Sequence, residues 1–132
     1  MWAFLILLFV LSACAKGNAS PNQATVSALP TIPAEYAGRS NPLGSEAASA
    51  GSRLFSTYCA ACHGERGSGD GPAASSLDPK PRNLAEFVPQ VRDDYLFWRI
   101  AEGVPGTAMV GWKGSLSEEQ IWQVIAFLRS LK

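Results

Sequence analysis

Two of the three cysteines of this chain and its only histidine stand within five consecutive residues, Cys59 to His63. Cysteines three apart on a helix lie on neighbouring positions of one face. His63 follows the second cysteine at once, so all three side chains can act on one bound group. The next residues, from Gly64 to Pro72, are rich in glycine and are typical of a loop.

The Cys-x-x-Cys-His spacing is the signature of covalent haem c attachment. In this interpretation Cys59 and Cys62 form thioethers to the two vinyl groups on one edge of a porphyrin, and the ring of His63 faces the iron. A single covalent haem would also supply a core, because a loop-rich chain of this size buries little apolar surface by itself.

Three other interpretations of the cysteine pair stay open. A thioredoxin-like redox pair belongs with a βαβ pattern, which this sequence lacks. A zinc site needs two further ligands, and the chain offers only the distant Cys14 and no second histidine. A structural disulfide suits an exported domain but leaves the adjacent His63 unexplained.

The charge of the chain argues against one class of partner. The sequence has 11 basic and 11 acidic residues and a formal net charge of zero, with no run rich in Lys or Arg. The sequence therefore lacks the cluster of basic residues that is typical of nucleic-acid binding, and we expect no nucleic-acid partner.

The N-terminus predicts export. Residues 1–13 are apolar or small and uncharged. This run is shorter than the roughly 20 residues of a bilayer-spanning helix and is typical of a signal-peptide core. Leu11-Ser12-Ala13-Cys14 resembles a bacterial lipobox, which implies cleavage before Cys14 and lipid attachment to it; more than one acyl chain gives stable anchoring.

The apolar run departs from the lipobox pattern in one respect, because no Lys or Arg precedes it. A plain secretory signal with an incidental cysteine and an uncleaved hydrophobic anchor are therefore alternatives. All three place the domain in the bacterial cell envelope, in the periplasm or on the outer face of the cytoplasmic membrane.

Composition divides the chain into three parts. Residues 1–13 form the leader, and residues 14–45 are predicted to be the lipid-attachment cysteine and a flexible tether, because they are rich in Ala, Ser, Asn and Pro without a sustained period. Alternatively, this segment packs on the domain or on a partner through Tyr36 and Leu43. Residues 46–132 form the folded domain.

The folded domain is predicted to be all-α. A first helix with Ser45 as its N-cap runs into the cysteine motif. A second, from Asp93 to Glu102, has acidic residues at its positive end, and Gly103 stops it. A third begins at the capping-box spacing of Ser117 and Gln120 and continues to the C-terminus.

These features together resemble a class I monohaem cytochrome c, over about Glu46 to Lys132. Gly51 and Phe55 stand eight and four residues before Cys59, as in the N-terminal helix of that family. The resemblance implies a small cytochrome c fold, in which three main helices and loops wrap one covalently bound haem c. It also implies that the two terminal helices cross where Gly51 meets Phe127.

The loop after the motif also resembles that family. The resemblance implies that the carbonyl of Pro72 accepts the proton on the outer nitrogen of His63, which would raise the basicity of this ligand. Arg82 is a candidate partner of a haem propionate. Further candidates for the apolar walls are Leu77, Leu84, Phe87, Leu96, Ile100, Val104 and Trp112, while Trp98 and Tyr95 face either the haem or a partner.

The family usually places a methionine on the far side of the iron. Met109 is the candidate, because Met1 lies in the leader and the chain has no other methionine and no second histidine. Lys113 and Lys80 remain as weaker candidate donors. Val110 follows Met109 where relatives commonly have proline, which is expected to loosen this loop.

With both axial positions filled, substrate cannot reach the iron. We therefore expect no small-molecule substrate and no enzyme, but a membrane-tethered carrier of single electrons. His/Met ligation raises the reduction potential of haem. The expected partners are respiratory or photosynthetic membrane complexes, such as a quinol-oxidising complex (alternative complex III, for example) or a terminal oxidase, and the chain serves as a carrier between them or as a haem subunit of one.

The alternative is a haem peroxidase or gas sensor with a labile distal ligand. Only Asp70, Glu102 and Arg99 offer suitable side chains for that chemistry, and nothing in their spacing brings them together. A haem subunit with a purely structural role is a third reading.

Overall fold

The computed structural model describes residues 29–132. The predicted leader, Cys14 and the chain up to residue 28 lie outside it. The helices of this part are α1 (Ala48–Tyr58), α2 (Ala60–His63), α3 (Leu84–Phe87), α4 (Asp93–Glu102) and α5 (Glu118–Ser130), with 3₁₀ turns at Ser45–Ala47, Ala74–Ser76 and Val88–Gln90. Backbone pairing of the β type is limited, over the same residues, to two isolated bridges. The predicted all-α class is confirmed.

No helix within residues 29–132 has the length and apolar character needed to cross a bilayer.

The ends of the main helices follow from local hydrogen bonding. At the start of α5, Ser117 Oγ accepts from Gln120 N at 3.2 Å and Gln120 Oε1 accepts from Ser117 N at 2.8 Å, which confirms the predicted capping box. Gly103 ends α4 with a φ of 77°, also as predicted.

Two details at the helix ends differ from the sequence-based expectation. The N-cap prediction for Ser45 is wrong, because the chain enters α1 through a 3₁₀ turn that begins at Ser45 and has no side-chain cap. The single turns α2 and α3 were not predicted, since four residues are too few to show a period. The side chain of Asn83 caps α3 by accepting from Glu86 N.

The helices α1 and α5 cross in close contact at Gly51. A Cβ at this position would collide with the backbone carbonyl of Gln123 and would lie 3.0 Å from Phe127 Cβ. One turn later the ring of Phe55 packs 5.1 Å from that of Phe127. The expected approach of Gly51 to Phe127 is therefore confirmed, and it fixes the two terminal helices relative to each other.

The core lies between the two terminal helices and α4. Its buried apolar side chains include Phe55, Leu96, Phe97, Ile100, Ile121, Trp122, Val124, Ile125 and Leu128. Arg129 ties the end of α5 to the segment before α4, because its guanidinium donates to the carbonyls of Val88 at 2.6 Å and Val91 at 2.8 Å. Loops occupy most of the remaining surface.

Residues 29–44, which we call the strap, pack on the domain. The prediction of a flexible tether is therefore wrong for this part of the chain, and the alternative of a packed segment applies to it. Tyr36 is only 6 % exposed and joins the core, while Leu43 packs against it. Arg39 lies 4.1 Å above the ring of Phe97 and pairs with Glu118. Apolar and cationic side chains thus hold a segment whose composition is that of a linker.

The buried carboxylate of Asp94 anchors the strap to the start of α4. Asp94 is 1 % exposed and accepts hydrogen bonds from the backbone N–H groups of Gly38 at 2.8 Å and Tyr95 at 2.9 Å. Burial alone would raise the pKa of Asp94, but the hydrogen bonds from Arg92, Gly38 and Tyr95 outweigh it and hold the pKa below its usual value. The carboxylate therefore stays charged at neutral pH.

Replacing Gly51 by alanine tests the crossing of α1 and α5. In an open helix this change would stabilise the protein by about 1 kcal/mol. Here the added methyl meets the backbone of α5, and overpacking of this kind costs about 1–3 kcal/mol. We expect a net loss of stability, seen as a lower midpoint of thermal unfolding by circular dichroism.

The matched control is Ser49→Ala, an exposed position on the same helix. This change is expected to alter the free energy of unfolding by less than about 0.5 kcal/mol. A Gly51→Ala protein more stable than the wild type would show that α1 and α5 do not meet at this position.

Candidate haem site

The cysteine motif occupies the point where α1 ends and α2 begins. Cys59 sits between the two helices and donates its N–H to the carbonyl of Phe55 at 2.8 Å. The N–H groups of Cys62 and His63 then donate to the carbonyl of Cys59, at 3.1 and 2.9 Å. Gly64 ends the turn with a φ of 76°. The motif therefore forms a compact helical turn fixed to the end of α1.

The two thiols are free and half-buried. Burial raises the pKa of Cys59 to about 11, and the neighbouring Cys62 adds to this rise. A redox-active or zinc-binding cysteine acts as the thiolate and usually has a lowered pKa. Cys59 is instead protonated at neutral pH, which does not fit a thioredoxin-like pair.

The other two alternatives for the motif are not supported either. The sulfur atoms of Cys59 and Cys62 are not joined in a disulfide. Over residues 29–132, His, Cys, Asp and Glu side chains nowhere gather in a group of three or more that could hold a metal ion. The zinc interpretation therefore lacks its ligand set in this part of the chain.

The imidazole of His63 is half-buried and is neutral at physiological pH. Its ring lies 6.4 Å from that of Phe55, measured between centroids. Burial lowers the pKa of His63, and a hydrogen bond to the backbone of Arg82 only partly opposes this effect. Nδ1 is buried and has no hydrogen-bond partner among the described residues.

An unpaired nitrogen of this kind costs about 1–3 kcal/mol when nothing replaces its contact with water. A neutral, half-buried imidazole beside two free, half-buried thiols is the set of side chains that covalent attachment of a haem requires. The residues of the motif therefore fit this group.

The hydrogen bond expected between Pro72 and His63 is not formed, because Nδ1 of His63 has no partner. The loop folds back on α2 through Gly71 N, which donates to the carbonyl of Cys62 at 3.2 Å, and through Ala73 N, which donates to that of Ala61 at 2.9 Å. These bonds leave Pro72 exposed. The expectation taken from the resemblance is wrong in this detail.

Met109 lies in the loop 103–112, between α4 and α5. The loop closes on itself where Val104 N donates to the carbonyl of Met109 at 3.0 Å. The side chain of Met109 is half-buried and packs against the same apolar core as Cys59 and Trp112. The ring of Trp112 in turn lies 5.3 Å from that of Tyr58, the residue before the first cysteine. The fold therefore brings the Met109 loop to the end of the helix that carries the motif.

Most of the predicted apolar wall borders the same core. Leu84, Phe87, Trp98 and Trp112 are half-buried against it, whereas Tyr95, Leu96 and Ile100 are buried within it; Leu77 and Val104 are half-buried. Arg82 is exposed, and its guanidinium lies 4.8 Å above the ring of Phe87. The roles of Arg82 and Trp112 toward a haem stay predictions.

The side chains considered for peroxidase or sensor chemistry are engaged elsewhere. Glu102 accepts from Tyr36 and Lys113. The carboxylate of Asp70 lies against Gly64. Arg99 stacks 3.7 Å above the ring of Trp98.

Sequence reasoning missed Tyr58 as part of the site. It is 43 % exposed, unusually open for a large apolar side chain of this domain, and it is the contact between α1 and Trp112. The available signal was an aromatic residue directly before the first cysteine of the motif.

The fold and the site define a small c-type cytochrome. The sequence model of the family described as "Cytochrome C oxidase, cbb3-type, subunit III" matches residues 46–128, and the chain belongs to this family. Its cytochrome c domain implies haem c as the cofactor and electron transfer as the function.

One solved structure similar to this chain belongs to the reducing HAO-like protein complex of Kuenenia stuttgartiensis. The TM-score is 0.59 and the sequence identity 25 %, over 69 % of this chain and 47 % of that one. The match therefore spans about half the length of that protein. No curated protein matches this chain.

Replacing Cys59 and Cys62 together by serine tests the covalent attachment. We expect the wild-type protein to keep haem after denaturing electrophoresis and the double variant to lose it, because serine cannot form the thioethers. Haem-stained gels of protein made in cells able to attach haem c measure this. Cys14→Ser is the matched control and is expected to keep its haem. Retention of haem by the double variant would contradict the assignment.

Proposed function

We propose that this chain is a membrane-tethered monohaem cytochrome c that passes single electrons between membrane redox complexes. In this proposal Cys59 and Cys62 hold one haem through thioethers, and His63 and Met109 are its axial ligands. A haem c held in this way supplies one-electron exchange between the ferric and ferrous states.

The observation that carries the proposal is the position of Met109. Its thioether is half-buried in the same apolar core as Cys59. The alternative donors are turned to solvent, since Lys80 is exposed and the side chain of Lys113 is 71 % exposed and 3.2 Å from Glu102. Either ammonium group would have to lose its water to reach the iron, at a cost in free energy that the half-buried, uncharged thioether of Met109 does not incur.

In this proposal the residues around the haem close its two faces. The loop that carries Met109 and the rings of Tyr58 and Trp112 exclude water and substrate from the distal side. The motif turn holds the neutral imidazole of His63 in place from the other side. A site closed on both sides favours outer-sphere electron transfer over bond chemistry.

The membrane tether and the partners are further parts of the proposal. Lipid on Cys14 would hold the domain at the outer face of the cytoplasmic membrane, in the bacterial cell envelope. The strap leaves residues 15–28 as the length of chain that could act as a tether. The expected partners are a quinol-oxidising complex, such as alternative complex III, or a terminal oxidase, and the chain is a carrier between them or a haem subunit of one.

Two comparisons support partners of this kind. The matched family is described as a subunit of a cbb3-type cytochrome c oxidase, and the similar solved structure belongs to a complex described as reducing and HAO-like. Both descriptions refer to parts of larger protein complexes, which favours a subunit role for this chain.

Replacing Met109 by alanine tests the axial ligation. Removing the thioether is expected to convert the low-spin ferric spectrum to a high-spin one and to lower the reduction potential by on the order of 0.1 V, because a thioether favours ferrous iron. A spectroelectrochemical titration measures both. Lys80→Ala, which removes an exposed alternative donor, should change neither. An unchanged spectrum and potential in Met109→Ala would overturn the proposal.

A further inference from the structure

The strap reaches the base of the loop that carries Met109. The hydroxyl of Tyr36 donates to Glu102 Oε1, although the two residues are 66 positions apart in the chain. Glu102 is the last residue of α4, and the loop begins at the next residue. A segment with the composition of a linker thus contacts one end of the loop.

The same carboxylate oxygen connects to the other end of the loop. Lys113, the first residue after the loop, places Nζ 3.2 Å from Glu102 Oε1. The two ends also meet through their backbones, because Trp112 N donates to the carbonyl of Ile100 at 2.9 Å and Lys113 N to that of Ala101 at 3.0 Å. Glu102 therefore sits where the loop must separate from α4 in order to open.

Tyr36 is the fixed member of this group. The side chain of Glu102 is 44 % exposed and that of Lys113 is 71 % exposed, so their ion pair by itself is weak and screened. Tyr36 is 6 % exposed, and its ring packs against that of Phe97 in the core at 6.1 Å between centroids. Its hydroxyl holds the Glu102 carboxylate in one position.

The strap itself is fixed at both ends of α4. Gly38 N is bound by the buried Asp94 in the first turn of the helix, and Tyr36, two residues earlier, reaches Glu102 in the last turn. The backbone of Tyr36 is set by a turn in which its N–H donates to the carbonyl of Pro33 at 2.9 Å. This turn and the buried ring therefore position the hydroxyl of Tyr36 without help from Glu102.

The charges of the three groups agree with this arrangement. The hydrogen bond from Tyr36 lowers the pKa of Glu102, and Lys113 adds to this effect. The bond to Glu102 raises the pKa of Tyr36 and, with the attraction of the carboxylate, that of Lys113. At neutral pH a protonated phenol and an ammonium group therefore both donate to one carboxylate.

We propose that Tyr36 is a positioning residue for the axial methionine, and that through Glu102 and Lys113 it holds the Met109 loop closed. The inference rests on the proposed ligation by Met109. The strap then has a second role besides joining the domain to the N-terminus, because it controls how readily the distal side opens.

The test is the rate at which added imidazole binds to the ferric, haem-loaded protein. Imidazole can bind only when Met109 has left the iron, so this rate reports opening of the loop. Tyr36→Phe keeps the buried ring and removes only the hydroxyl. We expect binding to become about five- to tenfold faster, as for the loss of a hydrogen bond to a charged group at a partly exposed site.

Arg39→Gln is the matched control. It removes the contacts of the strap with Glu118 and with the rings of Phe97 and Trp122, none of which belongs to the loop. Both variants are expected to lower the midpoint of thermal unfolding slightly, but only Tyr36→Phe should speed the binding of imidazole. Equal rates in the wild type and Tyr36→Phe, or equal increases in both variants, would overturn the inference.

A double-mutant cycle with Glu102→Ala assigns the effect to the bond itself. If Tyr36 acts through Glu102, the double variant should bind imidazole no faster than Glu102→Ala alone. Additive increases would contradict this. Failure of this inference can be told from failure of the proposed function. An unchanged spectrum in Met109→Ala would disprove ligation by Met109. An unchanged rate of imidazole binding in Tyr36→Phe would disprove only the role of Tyr36.

Discussion

The contact between Gly51 and the backbone of α5 is the constraint on which the site depends. Because position 51 has no Cβ, α1 approaches the carbonyl of Gln123 closely, and the ring of Phe55 fits between Phe127 and His63. The motif follows at the end of α1, so the crossing also fixes the direction in which the imidazole enters the domain. The packing of two helices therefore also positions His63, the proposed iron ligand.

The distal side depends on weaker and more distributed interactions. The loop that carries Met109 has no regular structure and is held by a few hydrogen bonds at its base and by the ring contact between Trp112 and Tyr58. Segments of this kind open more readily than packed helices. This asymmetry fits the proposed site, in which His63 is the rigid ligand and the strap controls the closing of the Met109 loop.

The sequence predicted the parts of the molecule that depend on local chemistry. The capping box of Ser117 and the stop at Gly103 are encoded within a few residues, whereas the approach of Gly51 to the distant Phe127 was implied by the family resemblance. The packing of the strap was offered only as an alternative, because the partners of Tyr36 and Gly38 lie more than 50 positions away and are invisible to local composition. The failed expectation for Pro72 came from a family pattern, and the hydrogen bonds of the loop in this chain place that residue at the surface.

The measurement that tests the central claim most directly is the optical spectrum of the reduced protein with and without carbon monoxide. A haem held by His63 and Met109 in a closed site predicts a low-spin c-type spectrum that the gas leaves unchanged. A rapid shift on adding carbon monoxide would show that the distal position is open, and would contradict the assignment of this chain to outer-sphere electron transfer.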